Sequence, residues 1–94
     1  MKKWTLAFQI LELTAFLGGW IMIEQAYAVF GELHSRSSIK ERFFELAKKG
    51  FLKRTRRGVY RLTDKGKAYV ESFAPTPTKW DIIKVFAIHY KYPR

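Results

Sequence analysis

The sequence predicts a small, mainly α-helical domain with one β-hairpin, and three observations carry this prediction. Two apolar patterns at helical spacing lie within residues 4–31, and a third pattern, polar at its start, covers about residues 37–49. Residues 51–63 hold two short stretches rich in β-branched and aromatic side chains, joined through a glycine. A further helix start follows at Thr63. The predicted order is therefore helix, helix, helix, hairpin, helix.

The first two helices are predicted over residues 4–17 and 20–30. Each is followed by glycine, at 18–19 and at 31, and glycine readily adopts the left-handed conformation that ends a helix. The apolar stripes consist of Leu6, Ile10, Leu13 and Leu17 in the first helix, and of Ile23, Ala26, Tyr27 and Phe30 in the second.

The third helix follows a serine-rich turn and is predicted over about residues 37–49, ending at Gly50. Either Ser35 or Ser37 is expected to cap it by accepting from its free amides. The spacing of Ser38 and Glu41 also fits a capping box, in which a serine and a glutamate three residues later cap each other's backbone.

The third helix has two different faces. Ile39, Phe43 and Leu46 lie on one side, which predicts that this side packs on the core. Phe44 lies on the other side, where it could contact a thymine methyl, pack under the hairpin or join a partner subunit; a core position also remains open. The other members of the outward face are Ser37, Glu41 and Lys48, with Lys40 on its flank.

The hairpin is predicted to pair residues 51–56 with residues 59–63 through Arg57 and Gly58. Alternation places Leu52 and Arg54 on one face and Lys53 and Thr55 on the other. Four arginines close to the tip repel one another, and a phosphate backbone would offset that repulsion. On the return strand Tyr60 and Leu62 are predicted to point inward, and Val59 and Arg61 outward.

The distribution of charge points to a polyanionic partner. The 94 residues include 18 Lys and Arg against 8 Asp and Glu, a formal net charge of +10. Between His34 and Lys67 there are 12 basic and 3 acidic residues, so this segment alone carries a net charge of +9. Nucleic acid is the partner that such a cluster favours first, and an anionic membrane surface second. A solvated cationic surface with no partner is the remaining interpretation.

The residue types argue against an enzyme. The chain has no cysteine, which excludes disulfides, thiolate zinc sites and thiol nucleophiles. His34 and His89 lie in different regions with no carboxylate pattern around either, and no glycine motif suited to cradling a phosphate is present. We therefore expect no catalytic residue, no metal site and no cofactor, and no small-molecule ligand is evident.

The N-terminal region resembles a secretory signal, with two lysines, an apolar run and small residues at positions 26 and 28. Gln9, Glu12 and Glu24 interrupt the apolar run, so it forms neither a continuous apolar block nor a membrane span. We therefore expect a cytoplasmic protein with no membrane contact.

The chain is predicted to divide into a domain at residues 1–74 and a linker with an apolar segment at residues 75–94. The fourth helix begins after Thr63, and prolines at 75 and 77 end it. The pattern of residues 79–92 fits either a helix or a strand. Thr78 and Asp81 have the spacing of a helix cap, which favours the helix. This segment is expected to form a homodimer through Trp80, Ile83, Phe86 and Tyr90. The apolar stripe of the fourth helix is Tyr69, Val70 and Phe73.

Two segments carry a resemblance to a known family. LAKKGFL at residues 46–52 and YRLTDKG at residues 60–66 resemble the end of the recognition helix and the second wing strand of winged helix-turn-helix domains. The likeness covers about residues 4–74, and it is to bacterial and archaeal repressors of the PadR, MarR and PaaX kinds. Residues 79–88 resemble the opening of the second domain of the PaaX family.

The resemblance implies a sequence-specific regulator of double-stranded DNA, with a repressor expected. The third helix would then enter the major groove and the hairpin would be the wing. A protein-interaction or RNA-binding winged helix is the alternative. Base or groove contacts are assigned to Ser37, Ser38, Lys40 and Glu41, and backbone contacts to Arg36, Arg42, Lys53, Arg54, Arg56, Arg57 and Arg61.

Overall fold

The computed structural model describes residues 5–72, which form four helices and a small three-stranded antiparallel sheet. Four helices and a hairpin lie in this range in the predicted order, although the second helix begins later than predicted. The predicted linker, the segment 79–92, Phe73 and the four dimerisation residues Trp80, Ile83, Phe86 and Tyr90 lie outside the described residues. In chain order the elements are α1 (Leu6–Phe16), β1 (Trp20–Met22), α2 (Ile23–Phe30), α3 (Arg36–Lys48), β2 (Leu52–Arg56), β3 (Val59–Leu62) and α4 (Asp64–Glu71).

The strand β1 corrects the prediction of one continuous helix over residues 20–30. Gly18 and Gly19 adopt φ values of 96° and 100°, which turn the chain after α1. Trp20 then lies opposite Arg61, so that β1 pairs with the free edge of β3. The amide of Leu62 extends the ladder by donating to the carbonyl of Gly19 at 2.8 Å. These hydrogen bonds connect residues that are about forty positions apart in the chain, and local helical periodicity cannot predict such pairing.

The core forms where α1 and α3 pack together with the inner side of the sheet. Ile10 and Leu13 of α1 are fully buried, as are Ile39 and Phe43 of α3. The core side predicted for α3 is therefore confirmed. No helix within residues 5–72 is long and apolar enough to cross a membrane.

The start of α3 is set by Ser35, whose hydroxyl accepts from the amide of Ser38 at 3.1 Å. The prediction that Ser35 or Ser37 caps the helix is thus confirmed for Ser35. The capping box expected of Ser38 and Glu41 is wrong, because Ser38 is already the third residue of the helix. The helix ends as predicted at Gly50, which has a φ of 86°.

Thr63 joins α4 to the link between α3 and β2. Its hydroxyl accepts from the amide of Gly66 at 3.0 Å, which confirms the predicted cap. The same hydroxyl lies 2.6 Å from the carbonyl of Gly50 and 3.0 Å from that of Phe51, and its one proton serves these two acceptors. The ammonium group of Lys65 donates to the carbonyl of Lys49 at 2.8 Å. These contacts hold the C-terminal end of α3 at a defined position relative to the hairpin.

The sequence predicts Val59 on the outer side of the hairpin with Arg61, and the register agrees, because Met22 and Trp20 of β1 lie opposite Val59 and Arg61. Val59 is nevertheless buried, with only 7% of its surface exposed. Met22 lies opposite Val59 in the sheet, and Val59, Trp20, Met22 and Gln25 line one small cavity. The added strand and the start of α2 therefore cover the side chain. The other predicted orientations agree: Tyr60 and Leu62 pack against the core, and Arg61 is exposed.

Candidate nucleic-acid interface

The β2–β3 hairpin carries five exposed cations, and none of them belongs to an ion pair found within residues 5–72. Lys53 lies directly opposite Arg61, and like charges in this position destabilise a sheet. Both ion pairs found within residues 5–72 involve Arg42 of α3, so neither of them includes a hairpin cation. The hairpin can therefore hold a polyanion without first breaking an ion pair. Its cations are Lys53, Arg54, Arg56, Arg57 and Arg61.

The tip of the hairpin is anchored to the start of α2. Gly58 has a φ of 76°, a value that favours glycine, and its carbonyl accepts from the amide of Ile23 at 2.8 Å. The pairing register shifts between Arg54 and Arg56, which marks an irregularity at Thr55. The Thr55 hydroxyl donates to the carbonyl of Val59 at 3.3 Å across the same region. The arginines near the tip are thus presented from a backbone that α2 fixes in place.

The outward face of α3 is polar and basic except for one aromatic side chain. Phe43 points into the core, where its ring centroid lies 4.8 Å from that of Tyr60. Phe44, the next residue, is 69% exposed, which excludes the core position that the sequence left open. The remaining exposed residues of the face are Ser37, Lys40, Glu41 and Lys48, as predicted.

A groove of about 590 Å³ separates this face of α3 from the hairpin, and α2 closes one of its sides. Lys40, Arg54 and Arg57 line it, so the fold brings together three of the predicted contact residues from two elements. Phe44 also lines the groove, between these cations. The sequence did not identify the residues that α2 and the strands add, because helical spacing had placed Tyr27 on a buried stripe. These residues are Met22, Ile23, Glu24, Tyr27, Gly58, Val59 and Tyr60.

Arg36 is held at the start of α3 by Tyr27 of α2. The guanidinium carbon lies 4.5 Å from the centre of the Tyr27 ring, a cation–π contact. Burial raises the pKa of Tyr27, as does the nearby carboxylate of Glu24, while Arg36 acts in the opposite direction. The tyrosine therefore remains a neutral hydrogen-bonding group at physiological pH.

Arg42 differs from the other predicted backbone contacts because it is paired within α3. Its guanidinium donates to Oε1 of Glu45 at 2.6 Å and lies 3.8 Å from Oε1 of Glu41. The hydrogen bond from Arg42 lowers the pKa of Glu45. On the helix, Arg42 lies on the flank away from Lys40, and so does Ser38, which is only half-exposed. The phosphate contact assigned to Arg42 stays a prediction, and it would compete with these carboxylates.

The outer side of the sheet presents a second basic area away from the groove. Trp20, Arg61 and Lys53 follow one another across the three strands in register. Trp20 is 51% exposed, and the two cations are exposed. Sequence reasoning missed Trp20 because it assigned this residue to a helix.

The described part of the chain contains no group of three or more His, Asp or Glu side chains placed to hold a metal ion. Comparisons of the chain with protein-family models, with curated proteins and with solved structures find no match. The arrangement of the residues themselves is therefore the basis for proposing a function.

Proposed function

We propose that the chain is a winged helix-turn-helix DNA-binding regulator. In this proposal α2 and α3 form the helix-turn-helix, and α3 is the recognition helix that enters the major groove. The β2–β3 hairpin is the wing. The protein acts in the cytoplasm as a homodimer that binds double-stranded DNA sequence-specifically, and repression is the expected outcome.

The observation that carries the proposal is the groove that joins α3 to the hairpin. Lys40 on the helix and Arg54 and Arg57 on the hairpin line the same space, and neither ion pair found within residues 5–72 involves any of them. The major groove of B-DNA is wide enough to admit an α-helix, and phosphates border it on both sides. A helix flanked by an unpaired basic hairpin therefore fits a duplex, with the helix on the base edges and the hairpin on the backbone.

The roles within the interface follow from exposure and chemistry. Ser37, Lys40 and Glu41 are exposed near the start of α3, where they can donate to or accept from base edges. The hairpin cations carry no base-specific geometry and would neutralise phosphates. If about five to eight phosphates are contacted, the logarithm of the binding constant should fall with the logarithm of salt concentration at a slope of roughly −5 to −7.

Duplex RNA is the main competing nucleic-acid ligand, and its geometry argues against it. The major groove of A-form RNA is deep and narrow, so side chains on a helix cannot read its base edges. Single-stranded nucleic acid would need base-stacking aromatics. The groove offers only Phe44 as an exposed aromatic among residues 5–72 on that side of the molecule.

The proposal is tested by a gel-shift titration in which duplex DNA, duplex RNA and single strands compete, followed by in-vitro selection of bound DNA. We expect duplex DNA to compete best and selection to yield one preferred sequence. A two-fold symmetric sequence would support the homodimer. Equal competition by all polyanions with no selected sequence would contradict a sequence-specific regulator, and preference for duplex RNA would favour the RNA-binding alternative.

Replacing Lys40 by alanine is expected to relax sequence preference at one position of the selected site. A lysine that donates to guanine acceptors contributes about 1–3 kcal/mol of discrimination against the wrong base. The measurement compares the dissociation constants for the selected duplex and for single-base variants, with Lys67→Ala on α4 as a control of equal charge. If Lys40→Ala instead weakens binding to every duplex equally, Lys40 contacts the backbone rather than a base.

A further inference from the structure

Phe44 is an exposed aromatic side chain at the centre of a basic face. It is 69% exposed, and Lys40 and Lys48 lie one helical turn away on either side of it. Arg54 and Arg57 lie across the groove that Phe44 lines. Lys40, Arg54 and Arg57 therefore line the same groove as the phenyl ring, together with the carboxylate of Glu24.

The fold itself does not require a phenylalanine at this position. The neighbouring Phe43 is fully buried and packs on Tyr60, so it supplies the aromatic contribution of α3 to the core. A phenyl ring left in water loses the free energy that burial would provide, and it forms no hydrogen bond to a phosphate. Its natural partner is a small apolar group that lies inside an otherwise anionic surface.

A second copy of the chain fits this face poorly. The surface around Phe44 holds four cations and two carboxylates, so an isologous contact centred on Phe44 would bring together two surfaces of net positive charge. These residues are Lys40, Lys48, Arg54 and Arg57, with Glu24 and Glu41. Like charges at close range oppose such a contact. The surrounding charge is complementary instead to nucleic acid.

The apolar group that a DNA major groove offers on its base edges is the 5-methyl group of thymine, and 5-methylcytosine carries the same group. We propose that Phe44 reads a pyrimidine 5-methyl group, and that it makes the chain prefer thymine at one position of its site. This inference rests on the proposed function, in which α3 enters the major groove. Lys40 would then donate to a neighbouring base edge, and Lys48 would contact the backbone beside the contacted base.

The experiment replaces single thymines of the selected duplex by deoxyuridine, which removes the methyl group and leaves base pairing and the hydrogen-bonding edge intact. We expect the wild-type chain to lose about fourfold in affinity at one or two positions, the ratio that corresponds to one buried methyl group. Phe44→Ala is expected to bind the thymine duplex correspondingly less tightly and to give equal affinities for thymine and deoxyuridine at those positions.

A second pair of duplexes compares cytosine with 5-methylcytosine at the same position. A similar gain for 5-methylcytosine would show that the ring recognises the methyl group on either base, and no gain would assign the contact to thymine alone.

Leu33→Ala is the matched control, because Leu33 is 87% exposed on the turn before α3. This variant should retain the preference for thymine over deoxyuridine.

The outcomes separate this inference from the proposed function. Specific duplex binding with equal affinities for thymine and deoxyuridine at every position would overturn the role of Phe44 and leave the regulator intact. A Phe44→Ala variant that still prefers thymine would also overturn it. Failure to bind any duplex would contradict the proposed function itself. The thermal unfolding of Phe44→Ala, expected to match the wild type, confirms that the variants compared are folded.

Discussion

Replacing Arg56 and Arg57 together by alanine is expected to weaken binding to every DNA duplex and to flatten its salt dependence. Both arginines are exposed near the hairpin tip, and neither makes an ion pair with a carboxylate of the described part of the chain. Each contact to a phosphate releases counterions, so losing two contacts should reduce the magnitude of the log–log salt slope by about two. We expect affinity to fall roughly a hundredfold, since each charge-assisted hydrogen bond contributes about 1.5 kcal/mol or more.

The measurement is a set of binding isotherms at several salt concentrations, for the selected duplex and for an unrelated one. Arg57→Ala alone should change the slope by about one and can be compared with Lys67→Ala, which removes an equal charge. Lys67 lies on α4 and shares its surroundings with Asp64 and Glu71, apart from the groove. An unchanged affinity and slope in the double variant would rule out the hairpin as a phosphate-binding wing.

Replacing Gly66 by alanine is expected to destabilise the fold by about 2 kcal/mol, the cost typical of overpacking. A Cβ atom at this position would overlap the carbonyl oxygen of Phe51 and would lie 2.8 Å from Cδ1 of Leu62. The first of these neighbours is backbone, which cannot move away without disturbing the start of β2. Helix propensity alone would predict the opposite change, because alanine is favoured over glycine in a helix by about 1 kcal/mol.

The free energy of unfolding, obtained from urea denaturation followed by circular dichroism, measures this effect. Lys67→Ala, at the next and exposed position of α4, should stay within about 0.5 kcal/mol of the wild type. A stabilised Gly66→Ala variant would mean that α4 does not approach the Phe51 carbonyl. DNA affinity per folded molecule should be unchanged, because Gly66 lies away from the groove.

Features that depend on a few neighbouring residues were predictable from the sequence. Ser35 and Thr63 cap α3 and α4, and Gly50 ends α3, because a hydroxyl or a glycine at a helix end acts through bonds to residues within one turn. The division of α3 into a core side and an outward side followed from helical spacing alone.

Features that depend on distant pairing were not predictable in this way. Local spacing predicts a helix at Trp20, because it contains no information about the edge of β3 with which Trp20 pairs. The burial of Val59 is not predictable because a two-stranded hairpin leaves its side open, and the third strand and the start of α2 cover it. Tyr27 packs against the core as predicted, but its further position beside the groove and its contact with Arg36 are not evident from helical spacing.

Charge, helix ends and periodicity are properties of the chain, so they were enough to indicate which side chains can take part in the candidate interface. They indicated the basic hairpin and the outward face of α3 as separate features. Folding brings these two features into one surface. The hydrogen bond from Ile23 to Gly58 fixes the hairpin tip beside α2, and the contacts of Thr63 and Lys65 fix the end of α3. Hydrogen bonds between residues far apart in the chain set these positions, and the groove that Phe44 shares with Arg54 exists only once they have formed.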